Sequence, residues 1–143
     1  MPRSIVVGTD GSEPAGAAVR RATDMASREG ARLHLVTAYP DPQMLRERMT
    51  GGAHAETIDL REVADAVLKR AAHDALAKGV EVETHVREGD PAEVLIDVAN
   101  EQNADLIVVG SRGLAGIKRF LLGSVSSKVS HHASCSVMIV RAA

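Results

Sequence analysis

The sequence predicts an α/β fold in which a five-stranded parallel sheet carries helices on both faces. Strand and helix signals alternate from one end of the 143-residue chain to the other, which is typical of parallel sheets joined by helical crossovers. No linker, repeat or low-complexity tract interrupts this alternation, so we expect one domain spanning residues 1–143. The chain has one Phe, one Tyr and no Trp, so its core must be built from aliphatic side chains.

The first strand–helix–strand unit is marked by local signals. Residues 4–8 are a short β-branched run, and residues 32–39 form the second strand. Between them, Ser12 can cap a helix that has Pro14 in its first turn and apolar side chains at helical spacing on one face. Gly30 follows the last of these side chains and is expected to end the helix.

The middle of the chain predicts a loop, a second helix and an edge strand. Residues 40–56 contain two prolines and a Gly-Gly pair, which favour a loop or a mobile segment. A long apolar stripe over Leu60–Leu76, which includes Val63, predicts an amphipathic helix closed by Gly79. Residues 80–86 alternate between apolar and polar side chains, as expected for a strand with one exposed face at a sheet edge.

The last third of the chain predicts two more helices and two more strands. The segment Asp90–Glu93 has a capping residue, a proline at the first helical position and an acid at the third, which is a capping box. Residues 104–109 are an apolar run typical of a buried strand. A short helix over residues 125–133 and a fifth strand over residues 136–140 complete the predicted architecture.

The connection between the fourth strand and the last helix has the composition of a phosphate-binding loop. Gly110–Gly113 (GSRG) follows the strand directly, and Gly123 and Ser124 come nine residues later. Glycines let the backbone approach an anion and adopt positive φ, and the N–H groups of the following helix attract negative charge. We expect Ser124 to be the N-cap of that helix and to donate its hydroxyl to a phosphate oxygen.

The alternative is that these glycines serve turn geometry alone. The chain contains neither a Gly-x-x-x-x-Gly-Lys-Ser/Thr loop nor a Gly-x-Gly-x-x-Gly loop after a strand, which are the two best-known phosphate fingerprints. Position favours a ligand: if the first and fourth strands are central neighbours, Gly8–Ser12 and Gly110–Gly113 meet beyond the carboxyl ends of the strands. Two polar turns that contain glycine then converge on one crevice.

Composition excludes several classes of partner. The chain has 17 Lys and Arg against 19 Asp and Glu, so no overall positive field attracts nucleic acid or an anionic membrane. It also lacks the aromatic platforms on which single-stranded nucleic acid stacks. No run approaches the ~18 consecutive apolar residues of a membrane span. Because Cys135 is the only cysteine, no internal disulfide can form, and we expect a cytoplasmic protein.

Three segments of this chain resemble the universal stress protein family: residues 5–12 (IVVGTDGS), 105–113 (DLIVVGSRG) and 122–126 (LGSVS). The resemblance covers essentially the whole chain, and the Gly-x2-Gly-x9-Gly-Ser spacing is similar to that of the family's ATP-binding branch. It implies a Rossmann-like (adenine nucleotide alpha hydrolase-like) domain with strand order 3-2-1-4-5. It also implies that the chain binds ATP, with or without Mg²⁺, and AMP or a cyclic nucleotide is the alternative ligand.

The resemblance also implies a role for individual residues. Asp10, with the backbone of Gly8 and Thr9, serves the adenosine end of the nucleotide, and Thr37 lies where the family often has an aliphatic residue against adenine. A homodimer is implied through residues 137–140 of the fifth strand, an apolar edge that invites pairing. The remaining implied binding residues are Val109, Gly110, Ser111, Arg112, Gly113, Gly123, Ser124, Val125 and Ser126.

Several of these residues have a structural alternative. Asp10 either contacts a ligand or caps its own turn, and Arg112 is either a solvated charge or a phosphate partner. His131 and His132 are adjacent on a helix and point about 100° apart, so we do not expect them to share a metal. Cys135 is expected to be a small buried residue at the start of the fifth strand.

Two classes of function follow from these observations. In the first, the chain is a nucleotide-dependent regulatory protein of the stress response, in which ATP occupancy alters a dimer surface read by an unidentified protein partner. In the second, it is a slow ATPase or phosphotransferase that phosphorylates itself at Ser124 or Ser126. Phosphoryl transfer commonly uses metal-binding carboxylates, and the sequence places no acid near the glycine loop. Binding is therefore favoured over turnover, and we assign no catalytic residue and no metal ligand.

Overall fold

A computed structural model describes residues 2–41, 59–111 and 123–141, and in these ranges strands and helices alternate as predicted. The strands are β1 (Ser4–Gly8), β2 (Arg32–Tyr39), β3 (Val82–Glu88), β4 (Leu106–Gly110) and β5 (Ser136–Val140). The helices are α1 (Glu13–Glu29), α2 (Leu60–Ala77), α3 (Pro91–Glu101) and α4 (Ser124–His132).

All five strands pair in parallel, in the order β3-β2-β1-β4-β5. This confirms the predicted α/β fold and its strand order. β1 and β4 are central neighbours, with Val7 opposite Val108. From β1 the chain winds outward to β3 and then returns to build β4 and β5 on the other side. The winding therefore reverses between β1 and β4, which is where open α/β sheets leave a crevice for ligands.

The side chains of the sheet alternate between two aliphatic core layers. On one face, Ile5, Leu35 and Val108 pack under α1 and α2. On the other face, Val36 and Ile107 pack against α3 and α4. Both layers exclude water almost completely, so the sheet is a rigid platform for the turns at its carboxyl edge. Among the described helices, none combines the length and apolarity that a membrane crossing requires.

The predicted capping residues determine where the helices begin and end. Ser12 Oγ accepts from the Ala15 N–H at 3.3 Å and caps α1, and Gly30 ends that helix with a φ of 66°. Asp90 caps α3 by accepting from the Glu93 N–H at 3.1 Å. The reciprocal bond of the predicted capping box, from the Asp90 N–H to the Glu93 side chain, is absent from the described hydrogen bonds. Glu93 Oε1 accepts from Lys128 Nζ at 3.4 Å.

Two details of the middle segment differ from the sequence prediction. Val63 and Leu76 belong to the apolar stripe of α2 but are 54% and 60% exposed, because they lie at the margins of the stripe rather than facing the sheet. β3 begins two residues later than predicted and extends to Glu88. Residues 42–56 of the predicted loop or mobile segment lie outside the described residues.

The amino end of the β1–β4 pair is held by Asp105. Its carboxylate accepts from the N–H groups of Arg3 and Ser4, at 2.7 and 3.1 Å. These two backbone hydrogen bonds hold the pKa of Asp105 below its usual value. β4 begins at the next residue, so this contact fixes its starting position against β1.

Candidate functional site

The turn after β1 is bound to the end of β2 by two hydrogen bonds. The Thr9 N–H donates to the Val36 carbonyl at 2.9 Å. The Thr37 hydroxyl donates to the Thr9 carbonyl, also at 2.9 Å, and its side chain is buried. Within the turn, Thr9 Oγ1 accepts from the Gly11 N–H at 3.2 Å. Thr9 and Thr37 therefore use their hydroxyls to shape the crevice, a role that the sequence analysis did not anticipate.

Asp10 lies at the tip of this turn and is exposed. Its Oδ1 accepts from the Ser12 N–H at 2.9 Å, which is the capping role considered for it from the sequence. This hydrogen bond leads the chain into α1, because Ser12 is the N-cap of that helix. Asp10 thus has a structural role at the position where the resemblance implies a ligand contact.

Two glycines allow neighbouring side chains to pack against the turn. A Cβ at Gly8 would lie 2.9 Å from Leu95 Cδ1, so this α3 side chain occupies the space that a larger residue would need. Gly11 has a φ of +83°, and a Cβ there would lie 3.2 Å from Val67 Cγ2. Leu95 and Val67 therefore support the turn from opposite faces of the sheet.

The second turn leaves β4 at Gly110 and is bound to β5 and α4. The Ser111 N–H donates to the Val140 carbonyl at 2.9 Å, and the Ser111 carbonyl accepts from the Gly123 N–H at 2.7 Å. These backbone contacts bring Ser111 and Gly123 together across the connecting residues. The role of the Val140 carbonyl could not be predicted from the sequence, because any residue type offers the same backbone acceptor.

The side chain of Ser126 is hydrogen-bonded within the protein. Only 1% of it is exposed, and its hydroxyl lies within donating distance of the Ser111 carbonyl at 3.2 Å and the Gly123 carbonyl at 3.1 Å. The hydroxyl therefore fastens the start of α4 to the root of the loop. As a phosphorylation acceptor the enclosed Ser126 is disfavoured, whereas Ser124 is exposed.

The start of α4 corrects the expectation that Ser124 is the N-cap of this helix. Gly123 is the N-cap, with φ −65° and ψ 162°, and Ser124 is already helical. No side chain caps this helix, whereas α1, α2 and α3 are capped by Ser12, Asp59 and Asp90. A helix start leaves N–H groups without intrahelical acceptors. For Ser124, Val125 and Ser126, no acceptor is found within the described part of the chain.

The valines expected at the site contribute to the core. Val109 is 3% exposed and packs in the aliphatic layer between the sheet and the α3–α4 face. Val125 is partly buried against the same layer. Their side chains therefore set the position of the backbone, which remains the part of these residues able to face a ligand. Arg112 and Gly113 lie outside the described residues.

The position of α4 against α3 is reinforced by Lys128. Its Nζ lies 3.2 Å from Asp90 Oδ2 and 3.4 Å from Glu93 Oε1. The hydrogen bond to Asp90 raises the pKa of Lys128. These groups are about half exposed, so screening limits the strength of the ion pairs. Their main effect is on the orientation of the uncapped helix.

His131, His132 and Cys135 lie outside the crevice, near the end of the chain. The His131 and His132 rings are 6.4 Å apart, and neither belongs to a potential metal-ligating group among the described residues. Cys135 is only partly buried and precedes β5 by one residue, so the expectation of a buried strand-start residue was wrong. Its pKa is raised by desolvation, which disfavours the reactive thiolate.

Comparison with known proteins relates the whole chain to one family. Residues 1–141 match the model of the Universal stress protein family. The universal stress protein YxiE of Bacillus subtilis is 34% identical over 148 aligned residues, which cover 99% of this chain and 100% of that protein.

Solved structures give the same relationship. A universal stress protein in complex with cAMP is 34% identical, with a TM-score of 0.72, over 98% of this chain and 97% of that one. A universal stress protein from Archaeoglobus fulgidus in complex with dAMP is 28% identical, with a TM-score of 0.70, over 95% of each chain.

Proposed function

The chain belongs to the universal stress protein family, and from this premise we propose that it binds an adenine nucleotide in the crevice between β1 and β4. ATP is the proposed ligand, with the adenosine end toward Asp10 and the phosphates toward the start of α4. The bound state acts as a signal in a regulatory protein of the stress response. This assignment includes the backbone of Gly8, Thr9, Gly110 and Ser111.

The uncapped start of α4 is the observation that carries the proposal. The three N–H groups of residues 124–126 face away from their own helix, and the positive end of the helix dipole lies at the same point. A phosphate is a suitable acceptor for such a set of donors. The hydroxyl of Ser124 is exposed at the first helical position and supplies a further donor.

Relatives support the adenine nucleotide rather than another phosphate ester. Two universal stress proteins of this fold were solved in complex with cAMP and with dAMP, which share adenine and a phosphate at the 5′ position. In the present chain, the buried Thr37 lies in the carboxyl-terminal half of β2, beside the proposed adenine position. Its hydroxyl is already bonded to the Thr9 carbonyl, so the methyl group is the part left for the base.

The proposal is tested by calorimetric titration of nucleotide-stripped protein with ATP, AMP and cAMP, each with and without Mg²⁺. We expect micromolar affinity for ATP, about −8 kcal/mol. Absence of binding by the wild-type protein, confirmed by a second method, would leave the glycines as turn elements. Phosphate release measured in the same samples separates binding from slow ATP hydrolysis.

Gly123→Asp makes the test specific to the start of α4. The backbone angles of Gly123 suit an N-cap residue, so an aspartate would cap the helix and place a carboxylate where the phosphate is proposed. We expect ATP affinity to fall at least about tenfold, or about 1.4 kcal/mol, with no loss of thermal stability. Ser27→Asp adds the same charge to the exposed far end of α1 and should bind ATP normally.

We also propose a homodimer formed by β5. This strand is at the edge of the sheet, and residues 137–140 are only partly buried within one chain. An apolar edge strand with unpaired backbone groups favours association with a second copy. Sedimentation equilibrium should give twice the chain mass of 15.1 kDa. A monomer mass across the accessible concentration range would contradict this part of the proposal.

A further inference from the structure

A second group of potential ligand side chains lies on the β2–β3 side of the sheet. His34 on β2 stands directly opposite Glu83 on β3, and His85 is two residues further along β3. Because side chains alternate along a strand, Glu83 and His85 project from the same face. His34 Nδ1 lies 3.0 Å from His85 Nε2 and 3.5 Å from Glu83 Oε2.

The three side chains converge on one point. One ligand atom from each residue can be chosen so that all three atoms lie within 4.8 Å of one another. The two imidazole rings are tilted by 41°, with centroids 5.2 Å apart, so they are not stacked face to face. Among the described residues, these three side chains form the one group of at least three His, Cys, Asp or Glu residues placed closely enough to hold a metal ion.

The spacing suits a small divalent cation. Two nitrogen ligands at ordinary zinc distances in a tetrahedron are about 3.3 Å apart, and a nitrogen and an oxygen ligand are about 3.4 Å apart. The observed 3.5 Å between His34 and Glu83 fits directly. The 3.0 Å between the two histidines requires an opening of a few tenths of an ångström, which a small ring rotation supplies.

Burial gives the group one fixed ligand and one route of entry. His34 is 1% exposed, so the packed core holds its ring, whereas the Glu83 side chain is about half exposed. Desolvation lowers the pKa of both His34 and His85, which favours the neutral imidazole ring. Neutral imidazole is the form that binds metal.

The charges of Arg32 and Arg87 disfavour a cation beside the two histidines, but each arginine is paired with a carboxylate. Arg32 pairs with Glu81 at 3.2 Å, and Arg87 pairs with Glu101 at 2.6 Å. Glu83 is therefore left to balance the charge of an ion held by the two histidines. The cluster includes one carboxylate and two imidazoles, which suits zinc and its neighbours in the first transition row. Magnesium and calcium prefer ligand sets made of oxygen.

We propose that His34, Glu83 and His85 bind a divalent transition-metal ion of the zinc type, with one coordination position left for water. The site joins the edge strand β3 to β2. His34 precedes Thr37 by three residues on β2, whereas His85 lies opposite Val36, at the edge of the nucleotide crevice. None of the three proposed ligands is a residue assigned to the nucleotide, so the proposal does not rest on the proposed function.

The test is a Zn²⁺ titration of tag-free protein in competition with a chromogenic chelator. We expect one Zn²⁺ per chain, and His85→Gln should weaken its binding at least about tenfold, since loss of a direct ligand exceeds the effect of an outer partner. Co²⁺ should give visible absorption bands of a four-coordinate site in the wild type and not in His85→Gln. Equal Zn²⁺ affinity of the two proteins would overturn the site and leave a hydrogen-bonded histidine pair.

Matched variants keep the test independent of folding. His73→Gln removes an exposed histidine from α2 and should retain full Zn²⁺ affinity. Glu83→Gln alters an exposed side chain on the edge strand, so it should fold normally and still bind Zn²⁺ more weakly than the wild type. Wild-type affinity in Glu83→Gln, together with wild-type affinity in His85→Gln, would show that any bound zinc lies elsewhere.

Discussion

The two turns that border the crevice use their polar groups in opposite ways. In the turn after β1, the hydroxyls of Thr9, Ser12 and Thr37 and the Asp10 carboxylate all take part in hydrogen bonds within the protein. In the turn that enters α4, the helix begins at a glycine with no side-chain cap. The polar groups of the first turn are bonded within the protein, whereas the N–H groups at the start of α4 have no acceptor among the described residues.

This difference suggests that the β1 turn stabilises the crevice and that the start of α4 binds the nucleotide. Substitutions in the β1 turn should act first on stability, because they remove contacts already made in the free protein. Substitutions at the surface of the α4 start should act first on nucleotide affinity, because their groups have no other partner among the described residues. The hidden Ser126 is a useful exception, since it belongs to the α4 turn but is bonded internally.

Gly8→Ala tests the support side with the largest expected effect. Its Cβ would lie 2.9 Å from Leu95 Cδ1 in the packed core, so the free energy of unfolding should fall by about 1–3 kcal/mol. Urea unfolding at fixed protein concentration measures this change. Leu95→Val should relieve part of the cost in the double variant.

Gly16→Ala is the matched control for this substitution. Gly16 is inside α1, and its added Cβ meets only the end of Arg20 at 3.4 Å. This change should be stabilising by roughly 0.5–1 kcal/mol. If both alanine variants had the same effect, the contact of Gly8 with Leu95 would not be the support inferred here.

The two serines of α4 divide the same turn into an internal and an external part. Ser126→Ala removes a buried hydroxyl donor and should lower the free energy of unfolding by about 1 kcal/mol. Ser124→Ala should change stability by less than about 0.5 kcal/mol but should reduce ATP affinity. Urea unfolding and calorimetry on both variants check this contrast. An equal loss of ATP affinity with unchanged stability in both variants would contradict it.

Asp10 can be separated into its structural and binding roles by two substitutions. Asp10→Asn keeps an oxygen that accepts from the Ser12 N–H, whereas Asp10→Ala does not. We expect Asp10→Asn to lower the affinities for AMP and for ATP to the same extent and to leave the stability nearly unchanged. Asp10→Ala should in addition lose about 0.5–1.5 kcal/mol of stability. A loss confined to ATP would place Asp10 at the phosphates instead of the adenosine.

The smallest expected effect is at the amino end of the β1–β4 pair. Since two backbone donors lower the pKa of Asp105 in the folded state, its contribution is present above the unfolded value. That contribution is lost as pH falls through the lowered pKa. Between about pH 5 and pH 2, wild-type stability should therefore fall more steeply than that of Asp105→Asn. If the urea midpoints of the wild type and of Asp105→Asn changed in parallel across this range, Asp105 would not contribute to the pH dependence of stability.

The fold could be predicted because its signals are local. Ser12, Gly30 and Asp90 act within a few residues of their own positions, so a cap or a positive φ can be recognised directly in the sequence. The five apolar runs and the helices between them then limit the sheet to a parallel arrangement. The crevice between β1 and β4 follows from that topology, as does the meeting of the two glycine-containing turns.

The hydrogen bonds inside the crevice could not be predicted in the same way. The Thr37 hydroxyl reaches a carbonyl 28 positions away, and Ser126 lies beside a carbonyl 15 positions away. Each depends on strand register and on the rotation of a side chain. The same is true of His34 and His85, which are 51 positions apart and meet only because β2 and β3 pair in one particular register.

The short contact between Ser111 and Val140 gives the two proposed interfaces a common part. The Ser111 N–H at the root of the glycine loop donates to the last residue of β5. A displacement of the end of β5 in a dimer therefore moves the loop root directly. If dimer formation changes nucleotide affinity by some factor, linkage requires the nucleotide to change the dimer equilibrium by a matching free energy. This backbone hydrogen bond is therefore the contact through which the proposed dimer would influence the proposed nucleotide site.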